Sequence, residues 1–157
     1  MKIKLDSTNK ILEAVSFISL ASTILIVGFT IPKLPDIIPC HFDFNGNPNR
    51  YGSKNTLWAI VAVSAFIYVL FGVISMFPES FNYPSQKNDK EKQYKLGAGL
   101  MRSLRACILL FITIIAYVIV QSAQTGSANG AFWLIGIILV IIAGNLIWFA
   151  VRWKKIK

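Results

Sequence analysis

The sequence predicts an all-α integral membrane protein, with four transmembrane helices and an ordered Pro/Gly-rich extracytoplasmic loop between helices 1 and 2. Three observations lead there: four apolar runs near bilayer length, a strong asymmetry of basic residues among the segments joining them, and prolines and glycines concentrated in one such segment. At 55% hydrophobic and 15% charged residues, the composition excludes a disordered chain and an ordinary soluble domain. A chain of 157 residues holds one core, so residues 1–157 are expected to form a single four-helix membrane domain.

The first expected span is 11–31, interrupted only by Glu13 and small hydroxyl residues. At about 1.5 Å per residue it covers roughly 30 Å, the thickness of a bilayer's hydrocarbon core. Its length and its ending, Gly28-Phe29-Thr30-Ile31-Pro32-Lys33, do not suit a cleaved signal peptide, which needs a shorter apolar core and a small-x-small site. The second span, 57–77, opens with Trp58 and closes at Pro78; the fourth, 131–151, is flanked by Phe132, Trp133, Trp148 and Trp153, aromatics suited to the membrane interface. The third, 103–123, has a shorter uninterrupted apolar stretch from Ala106 to Val120, and Arg102 and Arg105 are expected to snorkel at its start.

Basic residues set the expected orientation. Lys2, Lys4 and Lys10 precede the first span, Lys33, Arg50 and Lys54 lie between spans one and two, and Lys87, Lys90, Lys92, Lys95, Arg102 and Arg105 lie between two and three. None falls between three and four, and Arg152, Lys154, Lys155 and Lys157 follow the last. With both termini and the middle loop on one side, thirteen basic residues face three, so both termini are expected in the cytoplasm. The net charge of +9 is then a matter of topology and anionic headgroups, and no nucleic-acid partner is implied.

Enzymatic signatures are missing: there is no GxSxG, HExxH or P-loop, and no catalytic residue is assigned. No cofactor is implied. Cys40 and Cys107 fall at opposite ends of the membrane domain and are expected as free thiols. No strongly ionisable residue sits at mid-depth of a span, which argues against proton-coupled transport. Ser64, Tyr68, Ser75, Thr113, Tyr117, Gln121 and Asn145 are instead expected to bond between helices.

The segment 32–56 holds the most information. Pro32, Pro35, Pro39 and Pro48 fix φ, Gly46 and Gly52 can take positive φ, and Lys33 to Cys40 is expected as an irregular extended stretch. Asn45-Gly46 reads as a hairpin turn. Before it, Phe42 and Phe44 alternate with His41 and Asp43, which in an extended segment places aromatics on one face and polar groups on the other. His41, the single histidine, either pairs with Asp43 as a proton switch, contacts a ligand, ligates a metal, or holds the loop; too few ligands accompany it for a closed metal site, and none is assigned. Arg50, Tyr51 and Lys54 can receive an anionic group or anchor the chain at the interface.

These residues carry a resemblance. Leu34-Pro35-Asp36, Ile38-Pro39, His41-Phe42, Gly46 and Asn49-Arg50-Tyr51-Gly52-Ser53-Lys54, followed by Pro78-Glu79-Ser80-Phe81-Asn82-Tyr83-Pro84, resemble the bacterial membrane domain of unknown function 1648, found in relatives of the Sdp toxin immunity protein. The resemblance implies a multi-pass protein of the bacterial cytoplasmic membrane, in a short four-span form, with this loop as its common element. An immunity or signalling role follows as an expectation: a toxin-like peptide or other ligand bound by His41, Asp43, Phe42, Phe44, Arg50, Tyr51 and Lys54, on a loop shaped by Leu34, Pro35, Asp36, Pro39, Gly46 and Gly52. Two other functions are kept open, a helper subunit packing on a partner membrane protein and a small membrane enzyme or transporter using His41 and Asp43. Between spans two and three, Ser85 is expected to cap a helix from about Gln86 toward Arg105, bending at Gly97 or Gly99; the loop 85–102 is either topogenic or a cytoplasmic docking site.

Overall fold

Where the apolar runs lie, the backbone must satisfy its own hydrogen bonds, and a helix is the only local way to do so. In the computed structural model, which describes residues 6–43, 45–83, 89–126 and 133–156, these runs form α1 (Ser7–Thr30), α2 (Thr56–Ile74), α3 (Lys90–Thr125) and α4 (Trp133–Lys154). All four are long and apolar enough to cross a membrane. The opening of the fourth expected span, at Ala131 and Phe132, lies outside the described residues, as do Ser85, Gln86 and Lys87.

The helix ends follow local chemistry. Asp6 caps α1 by accepting the Asn9 N–H at 2.8 Å, and Pro32 turns the chain into a short 3-10 turn, Ile31–Lys33. Helix α2 stops three residues short of the expected boundary: Ser75 donates its hydroxyl to Gly72 O at 2.8 Å, and Pro78 starts a second 3-10 turn, Pro78–Ser80. Asp89 caps α3 by accepting the Lys92 N–H at 3.0 Å, and Gly126 ends it in the left-handed conformation with φ +78°.

Helix α3 is continuous for 36 residues, about 54 Å at the usual rise. The helix runs without interruption through Gly97 and Gly99. Gly97 instead marks a close approach: a Cβ there would lie 2.6 Å from the Tyr83 hydroxyl, so the missing side chain admits the Tyr83 ring. That ring stacks on Trp153 of α4, with centroids 5.3 Å apart, and its hydroxyl donates to Pro78 O at 2.8 Å.

Because α3 packs against each of the other helices, it is the centre of the bundle. Polar side chains join it to its neighbours: Thr23 and Thr113 hydroxyls lie 2.9 Å apart, Thr113 also reaches Ser19 O at 2.9 Å, and Ser103 donates to Asn145 Oδ1 at 3.1 Å. Thr113 and Asn145 thus bond between helices as expected, whereas Ser64 returns its hydroxyl to Ile60 O within α2.

The all-α expectation needs one correction. Between α1 and α2 the chain forms an antiparallel two-stranded sheet, β1 (Ile37–Phe42) and β2 (Pro48–Ser53), in place of an irregular loop. The register pairs Ile37 with Ser53, Ile38 with Gly52 and Pro39 with Tyr51, then shifts so that His41 faces Arg50 and Phe42 faces Pro48. Cys40 on β1 and Asn49 on β2 are the extra residues, two bulges that cancel. The proline in β1 is tolerated because its partner pair needs no N–H from it: Lys54 N–H donates to Asp36 O at 2.9 Å, and antiparallel alternation then makes Pro39 and Tyr51 a non-hydrogen-bonded pair.

One face of the hairpin closes the end of the bundle. Leu34 and Ile38 are buried with Val27 of α1, Leu57 of α2 and Ile119 and Val120 of α3, and Cys40 and Phe42 pack against this cluster. Ile37, on the other face, is 60% exposed.

Candidate ligand site on the interhelical hairpin

At the tip of the hairpin, Asp43 does not serve His41. Its carboxylate accepts the backbone N–H of Asn45 at 2.9 Å and of Asn47 at 2.8 Å, and the Asn47 side-chain amide at 3.3 Å. The Asn47 backbone N–H, foremost among these donors, holds the Asp43 carboxyl below its usual range. Strand β1 ends at Phe42, so Asp43 belongs to the turn, and the expected alternation does not continue through it. Gly46, at φ +81°, supplies the left-handed residue the turn requires. Phe44 lies outside the described residues.

His41 finds a different partner. Its Nδ1 lies 2.6 Å from Asn49 Oδ1, across the hairpin at the bulged position. The amide oxygen can only accept, so this contact is a hydrogen bond in the tautomer that protonates Nδ1. Arg50 stands directly opposite His41, and both are exposed.

Lys54 closes the base of the hairpin: its Nζ donates to Leu34 O at 3.1 Å and lies 3.1 Å from Asp36 Oδ1. Its side chain is largely covered, and its interactions all serve the loop. Phe42 is half-buried and packs against Val118 of α3, as Ile114 and Leu134 do. Gly52 is shaped by contact, since a Cβ there would lie 2.9 Å from Cys40 Sγ. Leu34 is buried, Pro39 is buried opposite Tyr51, and Pro35 and Asp36 are exposed. Of the expected ligand residues that are described, His41, Arg50 and Tyr51 are therefore the exposed ones, while Asp43, Phe42 and Lys54 are committed to the scaffold.

Among the described residues, no three side chains from His, Cys, Asp and Glu gather where a metal could sit. Cys40 and Cys107 are both free thiols.

At the other end of the bundle is a polar cluster that the sequence did not announce. Glu13 of α1 lies with Oε1 3.2 Å from Arg102 Nε, and its Oε2 pairs with Arg105 Nη2. Both arginines are buried, which corrects the expectation that they snorkel. Arg105 also reaches Ser16 Oγ at 3.3 Å and Tyr68 O at 3.5 Å, and its guanidinium lies 4.9 Å from the Tyr68 ring centroid. The available sequence signal was one acid and two bases at similar membrane depth. Nothing local revealed that residues some ninety positions apart would meet.

Four bilayer-length apolar helices define a multi-pass membrane protein. Within it, residues 18–65 match the family model described as "Domain of unknown function (DUF1648)", a stretch that includes the hairpin and parts of α1 and α2. The chain is also similar to an "Uncharacterized protein" of Archaeoglobus fulgidus, 27% identical over 161 aligned positions that cover 92% of this chain and 87% of that protein. No solved structure matches.

Proposed function

We propose that this chain is a multi-pass protein of the bacterial cytoplasmic membrane, with both termini inside, that binds a membrane-active peptide through its outward-facing hairpin. The observation that carries this reading is the exposed group His41, Arg50 and Tyr51 on a hairpin fixed to three helix ends. Rigid support beneath a few exposed polar and aromatic groups favours recognition, because little ordering entropy is lost on binding.

The opposite end supports the orientation. The N-terminus of α1, the N-terminal half of α3 and the C-terminus of α4 are brought together there, as Arg102 with Asn9 and Tyr83 with Trp153 indicate. That end therefore gathers Lys10, Lys90, Lys92, Lys95, Arg152 and Lys154, the arrangement expected of a cytoplasmic face. The resemblance to relatives of the Sdp toxin immunity protein makes protection against a secreted toxin the favoured role, with His41, Arg50 and Tyr51 as the contact residues.

The test is survival of toxin-sensitive bacteria that express the chain, or its His41→Ala or Arg50→Ala variant at matched membrane levels, under challenge with secreted antibacterial peptides. Protection by the parent chain that is lost in the variants supports the reading. No protection by any form refutes it.

A second reading, a helper subunit in a membrane complex, draws on α4. Ile137, Val140, Ile147 and Val151 are all exposed, and the helix packs mainly on α3, so an apolar face is open to lipid or a partner protein. Crosslinking from α4 to one stoichiometric membrane protein would favour it.

A further inference from the structure

The hairpin leaves a short row of backbone groups unpaired along the outer edge of β2. Lys54 N–H donates to Asp36 O, so alternation makes Ile38 and Gly52 the next hydrogen-bonded pair. Tyr51 and Ser53 then turn their N–H and C=O groups away from β1. The Ser53 carbonyl accepts the Thr56 hydroxyl at 2.8 Å. Among the described residues, no bond outside the sheet reaches Tyr51 N–H, Tyr51 C=O or Ser53 N–H.

Most of this edge is blunted, as natural sheet edges usually are. Pro48 has no N–H and Asn49 is bulged, which confines regular pairing to the stretch beyond them. Two donors and one acceptor in extended geometry are what an added strand needs.

Charge specifies what that strand should carry. Arg50 has no carboxylate partner among the described residues, whereas Lys54 is matched by Asp36 and the Asp43 carboxylate is taken up by its own turn. Beside Arg50, the Tyr51 side chain is 59% exposed. An acidic residue suits the position facing Arg50, and an apolar one the position facing Tyr51.

We infer that β2 binds an extended peptide segment by strand addition, with carboxylates alternating with apolar residues so that one carboxylate meets Arg50 while the backbone pairs with Tyr51 and Ser53. This rests on the reading of the hairpin as the ligand face, and it names the chemistry of the ligand.

The test uses the full chain in phosphatidylcholine nanodiscs and a fluorescent peptide of about eight residues alternating valine and glutamate, a usual strand length. Binding is followed by anisotropy against empty discs. In the expected register the valine amides pair with Tyr51 and Ser53, so N-methylating the valines abolishes binding while N-methylating the glutamates does not. Arg50→Glu, at an exposed position, weakens binding about five- to tenfold, and a valine/lysine peptide does not bind.

Tolerance of methylated valines, equal binding of the lysine peptide, or no binding at millimolar peptide each overturn strand addition. Protection of sensitive cells together with any of those results leaves the hairpin as a ligand face and removes only this mode. Backbone-dependent binding without protection supports strand addition and refutes the protective role.

Discussion

Replacing Glu13 by glutamine probes the ion cluster at the basic end, because it removes the one negative charge facing two buried arginines while keeping size and one acceptor. Arg102 and Arg105 have side chains only 7% and 3% exposed, so neither is readily rehydrated where it stands. Removing one partner of a buried pair costs about 3–5 kcal/mol, and with the Glu13 side chain 34% exposed the low end applies, about 3 kcal/mol. Asn9→Ala is the contrasting case: its oxygen lies 3.5 Å from Arg102 Nη1, too long for a strong bond, and its loss should cost under about 0.5 kcal/mol. The assay is reversible denaturation of the full chain in mixed micelles, followed by near-UV circular dichroism. A Glu13→Gln variant within about 0.5 kcal/mol of the parent, the usual range of an uninvolved surface change, would refute the claim that Glu13 neutralises the arginines. Replacing all three residues by apolar ones of similar volume should recover most of the loss, because no unpaired charge is then left behind.

Gly97→Ala would place a methyl group 2.6 Å from the Tyr83 hydroxyl, displacing the ring from Trp153 and costing about 1–3 kcal/mol of overpacking; tryptophan fluorescence and thermal denaturation report it. Gly46→Ala forces a non-glycine residue to φ +81°, a cost of about 1–2 kcal/mol, and should raise the rate of proteolytic nicking at the hairpin tip. The Tyr83 hydroxyl is pushed up to about 12, mainly by burial, with Tyr94 and Glu79 adding to the shift. The unfolded chain releases this proton near the ordinary tyrosine value of 10, so the contribution is complete below pH 10 and is lost as pH rises from 10 to about 12. Tyrosinate absorbance and alkaline denaturation should show a late-titrating phenol that Tyr83→Phe removes, together with that part of the pH dependence.

The helices were legible because hydropathy is local: each apolar run states its own solvent. Their ends were less so, since Ser75 closes α2 by bonding to Gly72 O, a choice hydropathy does not encode. At the hairpin, Asn45-Gly46 announced the turn, but Pro39 concealed the strand before it. A proline is acceptable in a pair that requires no N–H, and that is known only once the register is. The register likewise decides that His41 meets Asn49 and not Asp43, because two compensating bulges separate the residues by space and not by count. Arg102 and Arg105 looked like ordinary interfacial bases. Their inward turn depends on Glu13, a helix away, and no periodicity within α3 points to it.

The seat of the hairpin also constrains how the protein is made. Ile38 rests on Ile119 and Val120, which leave the ribosome long after the hairpin has been synthesised between α1 and α2. Two of the surfaces that bury Ile38 and Leu34, from α1 and α2, exist early, while the third does not. The segment must therefore wait with its apolar face incompletely covered until α3 inserts beside it. Arrest of translation before α3 emerges should yield a two-helix intermediate whose hairpin is still open to protease, and completion of that helix is the event that shuts it.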